Sequence, residues 1–314
     1  MRIVTRAPYR IEFAGGGTDI PEYYNSRLGF VFSAAIKKYV TCTLITRDDE
    51  QVTSNFPYIK ECADYYNITG VDIQLEYDIP HGSGLGGSSS SFVAICFAMT
   101  IYKTKSNRMR NYYSMNKRKI FMDAIHLERS VCKMPGGIQD QILSAVGGFV
   151  CISMYENQIY ADSIWPSVQV IRDLEDKLVL VKVEGSRDGG KSIENLVSHY
   201  SEKKSMEALE ELKLLAHRMP LYLIENRLND FYASIMRAHN LKTSAYSATN
   251  SAMDEITDTL RNSGYRYRLE GAGNGGHILV VVDIEYDVTK GKFPFKGMPV
   301  EFDYSGVKCI DYNS

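Results

Sequence analysis

An α+β fold in two lobes is what this sequence predicts, and three observations carry the prediction. Strand-like and helix-like runs mix without a regular βαβ alternation. A glycine- and serine-rich loop in the first half joins a strand to a helix that is apolar on nearly every face. Beyond residue 170 or so, long amphipathic helices take over, with a few strands between them. The division falls near 165–175, giving segments 1–168 and 169–314 of the 314 residues.

The elements run in order along the chain. Ile3 to Ala7 and Tyr9 to Ala14 read as strand, and after a glycine turn Val31 to Ile45 supplies more. Val71 to Tyr77 alternates, and Pro80 ends it. Glycines and serines from 82 to 91 lead into an apolar helix at Phe92–Tyr102. A second helix spans Lys117 to Lys133, with Ile120, Ala124, Leu127 and Val131 on one stripe, until Pro135-Gly136-Gly137 breaks it. A short helix near 138–145 and a strand at Phe149–Ser153 complete the first half. In the second, Lys177 to Val183 is a strand, and helices cover about 192–217 and 225–245. Asn250 or Ser251 caps a further helix, and strands Tyr265–Leu269 and Ile278–Val282 flank a glycine turn.

Composition narrows the partners. Apolar residues make up 44% and charged residues 24%, as in a globular protein with a core. Thirty-six basic against thirty-eight acidic side chains argue against a nucleic-acid coat or a polybasic membrane anchor. No apolar run has the length of a membrane span, and Arg2, Arg6 and Arg10 interrupt any leader-like stretch. Cys42, Cys62, Cys96, Cys132, Cys151 and Cys309 show no zinc or CxxC spacing, so buried free thiols in a reducing cytoplasm are expected, Cys96 and Cys151 among them. Oligomeric state is not legible.

Three glycine-bearing motifs and two acids carry the chemistry. In His81-Gly82-Ser83-Gly84-Leu85-Gly86-Gly87-Ser88-Ser89-Ser90, glycines let a backbone approach phosphate while the helix behind directs its positive end at the same spot. The loop satisfies GxGxxG, but KTKSNRMR at 103–110 offers neither the second strand nor the acid of a dinucleotide site. It lacks the lysine of a Walker A loop. Read alone, it also fits a turn that caps a helix. Ala7-Pro8-Tyr9-Arg10-Ile11-Glu12-Phe13-Ala14-Gly15-Gly16-Gly17-Thr18-Asp19 delivers a carboxylate after three glycines, suited to gripping sugar hydroxyls, or to capping a helix. Gly271-Ala272-Gly273-Asn274-Gly275-Gly276 precedes a strand, which makes it a tight turn. Glu128 and Asp140 complete the set. Asp140 falls in the first turn of a new helix, where it can accept a hydroxyl proton or simply complement the dipole, and Glu128 can hold magnesium or lie solvated on its helix.

In this order the motifs resemble the GHMP kinases, named for galactokinase, homoserine kinase, mevalonate kinase and phosphomevalonate kinase. The resemblance spans positions 7 to 276. It implies a first lobe like ribosomal protein S5 domain 2, a ferredoxin-like second lobe, and an active site in the cleft between them. By the same resemblance Gly82, Ser83, Gly84, Leu85, Gly86, Gly87, Ser88, Ser89 and Ser90 hold ATP, Ser89 (or its neighbour Ser88) and Glu128 hold Mg2+, and Asp140 is the acid–base residue steadied by Arg10. Gly16, Gly17, Thr18, Asp19 and Gly273 fall to the substrate. The run AGGGTD followed by Ile20-Pro21-Glu22-Tyr23-Tyr24, with GIQDQ, is most similar to the kinases of phosphorylated heptoses. Galactokinases carry Glu-His at Gly16-Gly17, and a neutral-sugar kinase and a silent sugar or nucleotide sensor are the alternatives. A sugar phosphate also needs a basic pocket, expected at Arg187 and Lys191 in the loop 185–192, with plain capping by Ser192 as the competing reading.

Overall fold

A computed structural model describes residues 1–104, 116–183, 189–246, 248–282 and 291–313. Two sheets organise it. The first contains β1 (Arg2–Ala14), β2 (Gly29–Thr46), β3 (Val52–Ser54), β4 (Val71–Tyr77), β5 (Phe149–Tyr155), β6 (Gln158–Ile164) and β11 (Lys308–Asn313). The second orders β10 (Gly297–Pro299), β7 (Leu178–Val183), β9 (Gly276–Val281) and β8 (Arg266–Leu269), all antiparallel.

The two runs expected around Pro8 are one strand, β1, buried along nearly its whole length. Its neighbour β2 is long enough to fork. One part pairs with β5 and the other with β4, while β1 lies alongside. The apolar helix Gly87–Thr104 packs on β1 and β2, as its lack of a polar face requires. It starts five residues earlier than expected, so Ser88 to Ser90 form its first turn. Helix Lys203–Ile224 packs on β1 and β2 as well, and helix Leu228–Ala245 packs on β1 and β8. They therefore tie the lobes together.

The expected helix 192–217 is two, Gly189–Ser198 and Lys203–Ile224, split by a short 3-10 turn. Ser192 is consequently not a cap but sits buried inside the first of these. Asn250 caps as expected, its Oδ1 accepting the Met253 N–H at 3.0 Å. Strands up to Ile164 belong to the first sheet and those from Leu178 to Pro299 to the second. The tail then crosses back, because β11 pairs antiparallel with β1. The apolar core falls in two clusters, the larger of which also takes in Leu178, Leu180 and Leu279 from the second sheet. Cys42, Cys62 and Cys96 are buried thiols, whereas Cys151 is only half-buried on β5. Among the described residues no helix is long and apolar enough to cross a membrane.

Candidate active site

The site begins with Arg10 on β1. Its main-chain N–H donates to Leu85 O at 3.0 Å and its Nη1 to Gly84 O at 2.7 Å, so one residue fixes the bend of the glycine loop. The same guanidinium grips Asp140 in two-pronged fashion, Nε to Oδ1 at 2.6 Å and Nη2 to Oδ2 at 2.9 Å. Asp140 occupies the first turn of helix Gln139–Val146, reached after the break at Pro135–Gly137. The loop and Asp140 face one another directly: a Cβ added to Gly86 would lie 3.2 Å from the Asp140 carboxyl. Gly86 also has φ +82°, so glycine is required there twice over.

Glu128 lies on the far side of the loop, within a π-helical turn at His126–Val131. Its carboxylate accepts the Ser88 hydroxyl at 2.9 Å, the Ser89 hydroxyl at 2.7 Å, and the Gln141 amide. Hydroxyl and carboxylate oxygens are the hard donors that magnesium selects, and one carboxylate beside a phosphate site is its usual protein share. The donor set thus fits a magnesium ion carried in with ATP.

Asp19 forms the opposite wall. Its Oδ1 accepts the Gly17 N–H at 3.1 Å and its Oδ2 the Gln139 N–H at 3.2 Å. Burial, with Asp140 and Glu12 adding to it, pushes its carboxyl up to about 6 despite those amides. Beneath Gly16 lies Glu12, whose Oε1 accepts from Arg268 Nη2 at 2.6 Å and from Gly16 N at 3.0 Å. Burial opposes its charge, yet Arg268, Lys242 and Arg10 hold it down to about 2. From the other lobe, Glu270 accepts the Glu12 N–H at 2.9 Å and lies 3.7 Å from Arg10 Nη1. Lys242 donates to Leu269 O and Gly271 O, which holds the start of the third glycine turn. None of Glu12, Lys242, Arg268 and Glu270 stands out as a site residue in the sequence. The one signal there is a charge inside an apolar strand run, as in Arg-Ile-Glu-Phe at 10–13 and Arg-Leu-Glu at 268–270.

A single cleft of about 360 Å³ gathers these groups. Arg10, Gly16, Gly17, Asp19, Gly82, Ser83, Gly84, Gly86, Gly87, Ser88, Ser89, Glu128 and Asp140 all line it, as do Gly271 and Ala272 of the third turn. Five expected members do not. Leu85 is buried in the core, and Ser90 turns away to donate to Pro8 O at 2.9 Å. Thr18 donates to Gly15 O at 2.7 Å and so shapes the turn. Gly273 packs on the Ala248 backbone, where a Cβ would come within 2.1 Å of the carbonyl oxygen. Lys191 is exposed on helix Gly189–Ser198 and is not in the cleft wall, although its neighbour Gly190 is. Arg187 lies outside the described residues.

Comparison with known proteins agrees with this geometry. Residues 56–148 match the GHMP kinases N terminal domain. The chain is 26% identical to the D-glycero-alpha-D-manno-heptose 7-phosphate kinase of Campylobacter jejuni, across 98% of each protein. Its fold matches the crystal structure of a D-glycero-D-manno-heptose 1-phosphate kinase from Bacteroides thetaiotaomicron with a TM-score of 0.77 at 21% identity, over 99% of this chain and 100% of that one. Lactococcus lactis galactokinase complexed with galactose matches with a TM-score of 0.75 at 16% identity, over 99% and 95%. With its motifs in one cleft, residues 56–148 matching the GHMP kinases N terminal domain and its two-lobed fold shared, the chain is similar to the GHMP kinases, phosphotransferases that act on an alcohol group.

Proposed function

We propose that the protein is a sugar kinase transferring the γ-phosphoryl group of ATP to the anomeric hydroxyl of D-glycero-D-manno-heptose 7-phosphate. The product would be the 1,7-bisphosphate that feeds nucleotide-heptose synthesis in the cytoplasm. One observation carries the chemistry: the glycine loop and Asp140 share one cleft, with Gly86 against the Asp140 carboxyl. Asp140 takes the proton of the acceptor hydroxyl as its oxygen bonds to the γ-phosphorus and ADP departs. Arg10 fixes the plane of that carboxylate. Loop amides and the N-terminus of helix Gly87–Thr104 hold the phosphates. Ser88, Ser89 and Glu128 hold magnesium, which neutralises phosphate charge when bound.

Asp19 accepts sugar hydroxyls, with Gly16 and Gly17 beside it in the cleft wall. The name of the Campylobacter relative supports the phosphorylated heptose. Gly190 in the cleft wall supports placing the substrate's own phosphate near Arg187 and Lys191. The Bacteroides kinase, named for a 1-phosphate substrate, supports a second reading in which another hydroxyl is the acceptor.

A screen of ATP consumption over neutral and phosphorylated sugars, with NMR of the product, separates these readings. The heptose 7-phosphate should turn over fastest and gain its phosphate at the anomeric oxygen; preference for galactose or fucose would reject the assignment. Asp140→Asn should lower turnover by roughly 10²–10⁴ while sparing ATP binding. Unaltered turnover would remove Asp140 from the mechanism. Arg187→Ala and Lys191→Ala should each raise KM for the sugar phosphate and leave that for ATP in place.

A further inference from the structure

The phosphate loop does not hold its own shape. Gly82, Gly84 and Gly86 have φ of +77°, +76° and +82°, and glycine backbones bring little rigidity. Three consecutive carbonyls are instead fixed by donors from outside the loop. Arg10 holds two of them, Gly84 O and Leu85 O. The third, Ser83 O, lies 2.8 Å from Nδ1 of His277, a buried side chain on β9 of the second sheet. Carbonyl and following N–H point opposite ways across a peptide plane. Anchoring Ser83 O and Leu85 O therefore turns the Gly84 and Gly86 amides the other way, while the Leu85 amide goes to Ser83 Oγ at 3.3 Å.

The approach is close by construction. A Cβ on Gly276 would fall 2.5 Å from Ser83 O and 3.1 Å from Gly84 N, so β9 opens directly against the loop. Ser83 O can only accept, which assigns the imidazole proton to Nδ1. Burial foremost, with Lys182 opposite on β7, holds the ring below the usual histidine value against the pull of the Ser83 carbonyl. His277 is not in the cleft wall.

We propose that His277 is a positioning residue for the nucleotide: from the C-terminal lobe it clamps Ser83 O outward, so that loop amides face the phosphates. This rests on the assignment of the loop to ATP. An apolar residue at 277 would leave Ser83 O without its donor.

The test is the affinity for a non-hydrolysable ATP analogue, measured by calorimetry on the full chain. His277→Ala should weaken binding about tenfold, the size of one lost hydrogen bond, and His277→Asn should stay within about twofold of the natural protein. Asparagine puts an amide N–H near the Nδ1 position, whereas glutamine reaches toward Nε2, so His277→Gln should resemble His277→Ala. Unchanged affinity in His277→Ala, or Asn and Gln variants falling equally, overturns the proposal; the Asn–Gln contrast still decides if the alanine variant does not fold. Gly84→Ala, which strains a positive φ in the loop itself, serves as the control. If Gly84→Ala binds normally, the loop is not the nucleotide site and both readings fall. If it abolishes binding while His277→Ala does not, only the clamp fails.

Discussion

Asp19 is a carboxylate kept where its charge is poorly solvated, and that gives it a pH signature. Its value of about 6 lies above the ordinary aspartate value near ~4, so the folded state holds the proton more tightly than the unfolded chain does. The stability from that proton is complete below the ordinary value and is lost as pH rises through about 6. A sugar hydroxyl donates to the ionised form. KM for the sugar phosphate should therefore climb as pH falls through this value, and Asp19→Asn should flatten the dependence; steady-state kinetics on both sides of it check this. Asp19 and Asp140 were legible in the sequence because each comes after a glycine break that only a special backbone path explains. Glu12 and Arg268 were not. A lone charge in a strand reads as a solvated face, and only the folded chain shows that each is the other's partner, 2.6 Å away in the core.

At the scale of elements, local periodicity reads helices well and cannot see a change of helical pitch. The stripe Ile120, Ala124, Leu127, Val131 predicts one regular helix, and the first three are buried as it requires. Val131, however, is 38% exposed, because the turn His126–Val131 is π-helical and rotates its last residues off the stripe. The rotation accompanies the placement of Glu128 and its neighbour Arg129 together in the cleft wall. The break after this helix is equally specific. A Cβ on Gly137 would lie 1.9 Å from Asp19 Oδ2, against the acid proposed to grip the sugar. Gly137→Ala should displace Asp19 and raise KM for the sugar phosphate several-fold, about 1 kcal/mol of lost binding, with affinity for ATP unchanged. A parallel loss of ATP affinity would show that the substitution distorts the whole cleft.

At the scale of the molecule, two lobes were legible from the change of character near residue 170, but the means of joining them was not. Hydrogen-bond partners such as Arg268 and Glu12 are 256 residues apart, beyond any local pattern. Arg268 comes from the second sheet and Glu270 directly follows its strand β8, Arg10 and Glu12 come from the first, and all four are buried. Breaking such a pair leaves an uncompensated charge in the core. Arg268→Gln should cost about 3–5 kcal/mol of stability, read as an earlier midpoint in chemical denaturation monitored by circular dichroism. A midpoint within error of the natural protein would mean that the lobes are held by apolar packing alone.

Strand β11 carries a different implication. It covers the outer edge of β1, with Arg2 opposite Asn313 and Arg6 opposite Lys308. During synthesis β1 leaves the ribosome long before its cover exists, so a nascent or prematurely terminated chain presents a bare row of main-chain donors and acceptors. That row can recruit a strand from another copy. Emergence of β11, rather than completion of the catalytic motifs, is thus the point in synthesis at which that edge of β1 becomes covered.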